Sequence, residues 1–526
     1  MSNRDPMSNR DTTATLDYHE ATKHSEQSTR ASRHFLDWEN KPLPFKIYRD
    51  LEAIPLPRSP PANDFPALQA IATPVAAWEA GAEGERIPDL ATLARVLDLS
   101  AGITKRKRYP GGEILFRAYA NTGALHHVDL YLVAGELPGL AAGVYHFGPH
   151  DRALRRLRAG DYRRELFEAS GENPDVSRAP VVIASASTYW RNAWKYQARA
   201  YRHCFWDGGT LHANLLAVAV SEALEPKLVI GFADRPVEQL LGLDPAREGV
   251  IALVTLGRSR RPSPAAPPAR ELRLETEPLS RFEVDYPAIR AQHAASTLAD
   301  GAEAASWRGT TPTTHEPAAS GSLHPLRPKT QPELSEESLE RVIRRRGSTR
   351  AFDASRSISF EELSTLLDGA TRGVPADFLD PPGATLLDLY LIVHAVEGLA
   401  PGSYYYRRSE RSLERLREGD FRKPAGRLGL GQELPADAAV NVYSLARLPA
   451  LLARFGNRGY RAAQLEAGIT GGRMYLSAYA QRFGASGLTF FDDEVTEFFS
   501  PHAAGKSVMF LVALGHSDRA ELKRKT

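Results

Sequence analysis

The chain repeats itself at an offset of 259 residues, and this repeat constrains the fold more than any other feature. DLYLVAGELPGLAAGVYHF in the first half aligns with DLYLIVHAVEGLAPGSYYY in the second, and RLRAGDYRR aligns with RLREGDFRK. Identical residues keep this register: Tyr131 and Tyr390, Gly143 and Gly402, Gly160 and Gly419, Asp161 and Asp420, Arg202 and Arg461. Because chance similarity does not hold one register over such a length, the sequence predicts two copies of one folding unit.

The same order of hydrophobic patterns occurs in each copy. A helical pattern, LATLARVLDLSAG or FEELSTLLDGATRG, precedes an apolar run typical of a buried strand, VDLYLVAG or LDLYLIVH. A Gly-x-Tyr turn, a short strand, long helical stretches and a final strand, VIALVTLG or VMFLVALG, follow. This order predicts an α/β (α+β) fold in which helices cover a mixed sheet.

Length and punctuation predict the domain boundaries. The 526 residues suffice for two domains that each bury a core. Proline-rich and polar stretches divide the chain into a polar flexible leader (1–35), a Pro-rich extended arm (36–84), a first domain (85–260), a Pro/Ala/Ser-rich linker (261–334) and a second domain (335–526).

Composition excludes several classes of partner. The net charge is +2 and the basic residues are scattered among acidic ones, so we expect no nucleic-acid-binding face. No run of eighteen apolar residues occurs and the start of the chain is polar, so we expect a cytoplasmic protein with no membrane partner. The single cysteine, Cys204, excludes a disulfide within the chain.

We expect no metal site. His126 and His127 are adjacent, so their side chains point apart. Asp492-Asp493-Glu494 follows a turn, which indicates a helix cap rather than a cation site.

The sharpest local motif is Arg346-Gly347-Ser348-Thr349-Arg350. In an extended segment, residues at alternate positions lie on one side, so Arg346, Ser348 and Arg350 present two guanidinium groups and a hydroxyl together. This set suits a phosphate monoester, and the alternative is a solvent-exposed basic run.

The motif resembles the Arg-x-Ser-x-Arg segment with which the FMN-dependent nitroreductase family binds the flavin phosphate. The resemblance implies that Arg346, Ser348 and Arg350 bind FMN. GASGLTFFDDEVTEFF resembles the turn of that family that approaches the flavin ring, which implies the same for Thr489 and Phe490. The family's cationic tail after the last strand corresponds to Arg519, Lys523 and Arg524, of which Arg519 is the first candidate.

The first copy resembles a branch of that family, the SagB-type azoline dehydrogenases, which oxidise thiazoline and oxazoline rings in modified peptides. The branch's flavin-contacting Pro-Ser-Ala-Gly-Ala-Leu loop corresponds to 120–125, which implies that Asn121, Thr122 and Gly123 contact FMN. Trp194-Lys195-Tyr196, ahead of Tyr201-Arg202, resembles the branch's Lys-Tyr pair and implies that Lys195 and Tyr196 are catalytic.

Each copy holds only some of the residues that these resemblances imply for a flavin site. In the second copy Arg454 and Phe455 stand where the first has Lys195 and Tyr196, and Asp380-Pro381-Pro382-Gly383 replaces the loop. The first copy lacks Arg-x-Ser-x-Arg; its nearest match, Ser28-Thr29-Arg30, follows Glu26 rather than an arginine. Family members resemble one another as two-fold dimers with flavin at the interface, so a tandem chain implies an intramolecular pseudo-dimer with one FMN. Spacing leaves open whether Lys195 and Tyr196 face that flavin.

The implied activity is oxidation of an azoline or similar C–N bond, with hydride transfer to FMN. Lys195 and Tyr196, with pKa values brought near 7, would take the proton. The substrate is a small molecule or a modified peptide, and a cyclase is a possible partner. Two alternatives stay open: an NAD(P)H-dependent nitro, quinone or flavin reductase, and a degenerate scaffold without turnover in a biosynthetic complex.

Overall fold

A computed structural model describes residues 9–58, 63–73, 84–109, 112–312 and 316–518. Within these residues, each copy is built on a seven-stranded sheet. The first has the order β1 (Ala53–Pro55), β6 (Ala153–Ala159), β5 (Gly143–Gly148), β4 (Val128–Ala134), β7 (Val181–Thr188), β9 (Glu248–Leu256), β8 (Lys227–Val229). The second has the order β10 (Ser322–Pro325), β15 (Ser412–Glu418), β14 (Gly402–Arg407), β12 (Asp388–Val393), β16 (Val440–Ala446), β18 (Ser507–Gly515), β17 (Gly484–Leu488).

The two sheets confirm the repeat and the predicted fold class. Corresponding strands occupy corresponding positions, and both sheets carry a bulge at the same place, between Val144 and Tyr145 and between Ser403 and Tyr404. The structure differs from the prediction of a mixed sheet in one respect: every strand pairing in both large sheets is antiparallel. In the described chain, parallel strand pairing is confined to β11 (Ile358–Ser359) with β13 (Val396–Glu397). A separate antiparallel hairpin joins β2 (Ile103–Tyr109) to β3 (Gly112–Arg117).

Helices surround the sheets, and their starts follow from the sequence. Asp89 accepts a hydrogen bond from Thr92 N at 2.7 Å before one first-unit helix, and Ser359 with Glu362 forms a capping box before its counterpart. The first unit contains α3 (Ala67–Ala72), α4 (Leu90–Ala101), α5 (Arg163–Ala169), α6 (Pro174–Arg178), α7 (Tyr189–Tyr196), α8 (Ala200–Ser221) and α9 (Asp234–Leu241). The second contains α12 (Leu339–Arg345), α13 (Phe360–Ala370), α14 (Arg422–Leu428), α15 (Glu433–Asp437), α16 (Leu448–Phe455), α17 (Arg458–Ala480) and α18 (Asp492–Phe499).

The long central helices α8 and α17 pack against each other between the two sheets. They meet at Gly209 and Gly468, which are equivalent in the repeat; a Cβ on Gly209 would lie 2.6 Å from the Gly468 backbone. Only glycine permits this approach. Because equivalent points of the two helices meet, the units are related as the halves of a two-fold pseudo-dimer.

Reciprocal buried ion pairs join the two units. Arg202 Nη1 lies 2.6 Å from Asp492 Oδ1, and in the equivalent pair Arg461 Nη1 lies 2.7 Å from Asp234 Oδ1. Arg199 and Arg458 add a second arginine to each carboxylate. Each unit therefore supplies two arginines to one carboxylate of the other.

The leader and the linker each contribute one helix that packs at an equivalent place. The leader forms α1 (Thr13–Ala21) and α2 (Glu26–Ala31), and the linker forms α10 (Pro287–Ala295) and α11 (Gly301–Trp307). His19 Nδ1 lies 3.2 Å from Tyr460 Oη, and His293 Nδ1 lies 3.3 Å from Tyr201 Oη. The prediction of a flexible leader is thus corrected for α1, whose Tyr18 and His19 side chains bond to groups of both units, whereas α2 has no buried residue.

The arm is mostly extended up to residue 58, whereas its residues 67–72 form α3. It runs along the linker, with Leu43 N donating to Leu279 O at 2.7 Å and Arg49 N donating to Glu275 O at 3.1 Å. Among the described residues, no helix combines the length and apolar character needed to cross a membrane.

Candidate functional site

Arg346 joins the phosphate-type motif of the second unit to the first unit. Its Nη2 donates to the backbone oxygen of Arg117 at 2.8 Å, and its guanidinium carbon lies 5.9 Å from the ring centroid of Tyr475. Burial lowers the pKa of Arg346. Its Nε is buried without a hydrogen-bond partner. A buried guanidinium with an unused donor is suited to hold an anion.

Ser348 and Arg350 extend the motif from this point. Ser348 Oγ lies 3.2 Å from Tyr475 Oη, which also accepts a hydrogen bond from Gly487 N. Tyr475 thereby ties the motif to β17, the strand that leads into the turn before α18. Arg350 is exposed and close enough for its charge to lower the pKa of Lys195 and to oppose the rise in the pKa of Tyr196.

Thr489 and Phe490 lie on the turn between β17 and α18. Thr489 Oγ1 is buried without a partner. Phe490 is fully buried, and its ring centroid lies 5.9 Å from that of Trp206 on α8. The turn of the second unit therefore packs on the central helix of the first.

The loop with Asn121, Thr122 and Gly123 is held by a carboxylate on α8. Asp207 accepts hydrogen bonds from Thr122 N at 2.9 Å and from Thr122 Oγ1 at 2.7 Å. Asn121 Oδ1 accepts from His126 N at 2.8 Å, which closes the loop. Gly123 has φ +63°, a left-handed conformation that favours glycine.

Tyr196 lies directly against this loop. A Cβ on Gly123 would be 2.9 Å from Tyr196 Oη. Lys195 Nζ lies 5.3 Å from the Tyr196 ring centroid, and both residues are half-buried at the end of α7. The structure therefore gathers Lys195, Tyr196 and the first-unit loop beside the arginine motif of the second unit.

The pKa shifts of the two residues have opposite directions. Burial lowers the pKa of Lys195, and the charges of Arg350 and Lys41 lower it further. Burial raises the pKa of Tyr196, and the carboxylate of Asp207 adds to the rise. The expectation that both pKa values approach 7 is therefore wrong for Tyr196, because its phenolate would be desolvated beside a negative charge. Tyr196 keeps its proton at neutral pH and can only donate it.

Residues 343–516 match the Nitroreductase family. The chain carries a nitroreductase-family domain. The crystal structure of a putative nitroreductase from Anabaena variabilis is similar over nearly the whole chain, with 27% identity and a TM-score of 0.75, covering 96% of this chain and 99% of that one. The family match and this similarity support an oxidoreductase.

Two curated relatives cover less of the chain. Trifolitoxin-processing protein TfxB from Rhizobium leguminosarum is 31% identical over 155 residues, which are 28% of this chain and 42% of TfxB. Putative nitroreductase MJ1384 from Methanocaldococcus jannaschii is 24% identical over 169 residues, which are 32% of this chain and 80% of that protein. The chain thus spans less than half the length of TfxB.

The reciprocal position, beside Arg454 and Phe455 of the nitroreductase domain, is filled by the linker. Arg454 donates to the backbone oxygens of Trp307, Arg308 and Thr310. Trp307 is fully buried, donates its indole N–H to Phe455 O at 2.8 Å and packs on the Phe455 ring with centroids 5.1 Å apart. Arg454 and Phe455 therefore hold the linker.

Several residues of this region were given no site role from the sequence, although Asp207-Gly208-Gly209 continues the family pattern after Tyr201-Arg202. His203 packs between Tyr196 and Trp206, whose ring centroids lie 4.5 Å and 4.9 Å from its own. Burial lowers the pKa of His203. Asp207 and Tyr475 position the loop and the motif. One signal was available for Asp207, because the repeat places Glu466, another acid, at the equivalent position.

The remaining candidates are placed elsewhere or not described. Arg519, Lys523 and Arg524 lie outside the described residues. His127 contacts Asp207 and Ser187, whereas the ring of His126 contacts Leu115 O, so the two histidines share no ligand position. Asp492 lies in the first turn of α18, but the N-cap is Phe491 and has no side-chain capping hydrogen bond, so the cap prediction is wrong; Asp492 is buried and paired with arginines.

Proposed function

We propose that this chain is an FMN-dependent dehydrogenase with one composite flavin site, and that it oxidises an azoline or similar C–N bond. The hydrogen bond from Arg346 to Arg117 O carries the proposal, because it attaches the phosphate motif of one unit to the strand that leads into the loop of the other. Arg350 supports it, since its charge acts on Lys195 and Tyr196.

The residues present fit FMN. Arg346, Ser348 and Arg350 would bind the phosphate through charge-assisted hydrogen bonds. The buried Thr489 Oγ1 and Arg346 Nε supply hydrogen-bonding groups that the protein itself does not use. FMN, when bound, supplies the acceptor for two electrons.

The protein would supply proton transfer and orientation. The lowered pKa of Lys195 increases the neutral fraction of its amine, which takes the proton released from the substrate beside the ring nitrogen. Tyr196 stays protonated and donates a hydrogen bond that orients the ring or its product. The substrate loses two hydrogens. The one on the carbon beside the ring nitrogen goes to Lys195 as a proton, and the one on the neighbouring carbon leaves with its electron pair, as hydride, for the two-electron acceptor.

A single site follows from the asymmetry of the two units. The reciprocal position has Arg454 and Phe455 in place of the Lys-Tyr pair, and Trp307 with its neighbours fills it. We therefore expect one FMN per chain.

A modified peptide is the substrate class that we favour. TfxB is named as a trifolitoxin-processing protein, and its matched segment is 31% identical to this chain. A cyclase that forms the azoline ring would then act before this enzyme, as a possible partner.

The first test is the visible spectrum of the purified protein with FMN quantified per chain. We expect one FMN in the wild type and none in Arg346→Ala/Arg350→Ala, because both phosphate-binding cations are lost. Arg260→Ala/Arg261→Ala removes two exposed arginines after β9 and should keep the flavin. Absence of bound flavin after reconstitution with FMN would contradict the proposal and leave the alternative of a scaffold without turnover. Bleaching of the bound flavin by NAD(P)H, without azoline oxidation, would favour the reductase.

A further inference from the structure

The β2–β3 hairpin carries exposed cations beside exposed apolar side chains. Lys105 pairs with Phe116 and Lys107 with Ile114, and cross-strand partners share a face of the hairpin. Lys105 Nζ lies 5.9 Å from the Phe116 ring centroid. Tyr109 is 49% exposed and Ile114 is 41% exposed. Large apolar side chains exposed together on one face indicate a contact surface.

The positive charge of this face is not compensated. Glu113 is the only carboxylate within residues 103–117, and it lies 3.6 Å from Arg106 and 3.9 Å from Arg108. Among the described residues, no carboxylate lies within ion-pair distance of Lys105 or Lys107. A ligand that meets this face therefore gains most if it is acidic.

The hairpin rises from the candidate flavin site. It ends at Arg117, whose guanidinium donates to Ala101 O at 2.8 Å and to Pro44 O at 2.9 Å. The backbone oxygen of the same residue accepts the hydrogen bond from Arg346. The base of the hairpin is thus fixed to the arm and to the phosphate-type motif.

The arm presents a second cation and aromatic ring near the Lys-Tyr pair. Trp38 is 66% exposed, and Lys41 Nζ lies 5.7 Å from its ring centroid. Trp38 packs on Trp194, next to Lys195 in the chain, with ring centroids 5.3 Å apart. The hairpin and the arm meet where Arg117 donates to Pro44 O. We call their exposed side chains the cationic rim: Trp38, Lys41, Lys105, Lys107, Tyr109 and Ile114.

We propose that the cationic rim binds an extended, acidic peptide segment with interspersed apolar side chains. The carboxylates would pair with Lys41, Lys105 and Lys107, and the apolar side chains would cover Tyr109 and Ile114. Strands β2 and β3 form a sheet of their own with no third strand among the described residues, so an extended segment can add to an edge. This inference rests on the proposed function in one respect only: the proposed function identifies the bound segment as part of the substrate.

Direct binding tests the rim without turnover. The probe is a fluorescein-labelled peptide of repeated Glu-Ser-Val-Ser, in which Glu and Val fall on the same side of an extended chain, and its control is a peptide of the same length with Lys in place of Glu. We expect the acidic probe to bind the full-length protein, with affinity that falls as salt rises. Lys105→Glu/Lys107→Glu should weaken binding by roughly tenfold or more, and Lys105→Gln/Lys107→Gln by less. Arg260→Glu/Arg261→Glu makes the same change in net charge away from the hairpin and should bind as the wild type does.

Each result decides the inference separately from the proposed function. Equal losses in the hairpin and control variants would overturn it, as would equal affinity for the Lys peptide. Single-stranded DNA that binds as tightly, with the same loss in the hairpin variants, would also overturn it. FMN content, measured on the same samples, should stay at the wild-type value in all variants. Rim binding in a protein that takes no flavin would contradict the proposed function and leave the inference standing.

Discussion

At the residue scale, Gly123 is where the first-unit loop and Tyr196 meet. The position needs glycine for two reasons: its φ is +63°, and a Cβ would lie 2.9 Å from Tyr196 Oη. Gly383, in the replaced loop of the second unit, has a similar φ of +88° but nothing within 4 Å of its Cβ position. The pair therefore separates backbone strain from contact with the tyrosine.

We expect Gly123→Ala and Gly383→Ala each to lower the free energy of unfolding by about 1–2 kcal/mol, because an alanine at positive φ is strained. Only Gly123→Ala should also lower the turnover of a small azoline substrate, by roughly tenfold or more, since it displaces Tyr196. Urea unfolding and steady-state kinetics measure the two effects. Equal turnover in both variants would show that Tyr196 does not depend on this contact.

Lys41 offers a test of Lys195 as the base. Its positive charge is one cause of the lowered pKa of Lys195, after burial and Arg350. Lys41→Met should raise that pKa, because the protonated amine then meets less repulsion. If the neutral amine accepts the proton, the rising limb of the pH–rate profile for a small azoline substrate should move to higher pH.

Lys423→Met, which removes an exposed lysine of the second unit, should leave this limb in place. Lys195→Ala should remove the limb and reduce turnover by roughly 10²–10⁴-fold while FMN stays bound. An unshifted limb in Lys41→Met would indicate that another group is titrating.

At the scale of elements, α8 positions the loop of the candidate site. Asp207 accepts two hydrogen bonds from Thr122, and its Oδ2 also lies 2.8 Å from His127 Nε2. Glu466 has the equivalent task on α17, where it accepts hydrogen bonds from Thr385 Oγ1 at 2.6 Å and Leu386 N at 2.8 Å. The two acids have the same structural role, but only Asp207 holds a loop that lies beside the Lys-Tyr pair.

We expect Asp207→Asn to weaken FMN binding by roughly tenfold, because a neutral amide has only one acceptor oxygen for the two Thr122 donors and a lost buried partner costs about 1–3 kcal/mol. Glu466→Gln should lower the free energy of unfolding by a similar amount and leave FMN affinity unchanged. Titration of the apoprotein with FMN and urea unfolding measure both. Equal effects on FMN affinity would contradict a single site.

At the scale of the whole molecule, the reciprocal ion pairs hold the units together. Asp492 is buried, and although burial alone would raise its pKa, Arg199 and Arg202 hold that pKa well below its ordinary value. The carboxylate therefore stabilises the folded state at any pH above its ordinary pKa of about 3.9, and this contribution is lost as the pH falls through the lowered value.

Asp492→Asn should lower the free energy of unfolding at neutral pH by about 3–5 kcal/mol, since two buried arginines lose their partner. Asp493→Asn is the matched control, because its side chain is 78% exposed and pairs with Lys23 at the surface, which is worth about 1 kcal/mol or less. Urea unfolding at pH 7 and below pH 4 measures both. The difference between wild type and Asp492→Asn should shrink in acid; a difference that does not change with pH would contradict this account of the ion pair.

The sequence by itself determined the repeat and, through it, the fold class. Both copies carry the same apolar runs and helical patterns. Both units therefore have the same seven-strand order, and even the bulge before Tyr145 and Tyr404 occurs in both. The motif from Arg346 to Arg350 was also visible, because alternate positions of an extended segment share a side. The packed leader was not, since the partners of Tyr18 and His19 lie far away in the chain.

Only the tertiary structure decided how the two parts of the candidate site, the arginine motif of the second unit and the loop and Lys-Tyr pair of the first, come together. Arg346 meets Arg117 across 229 positions of sequence, and no local pattern encodes that pairing. The close approach of Gly209 and Gly468 brings the two units together, and burial then sets the opposite pKa directions of Lys195 and Tyr196. Local periodicity specifies the elements, whereas a site shared between two units depends on contacts that exist only after those elements have packed.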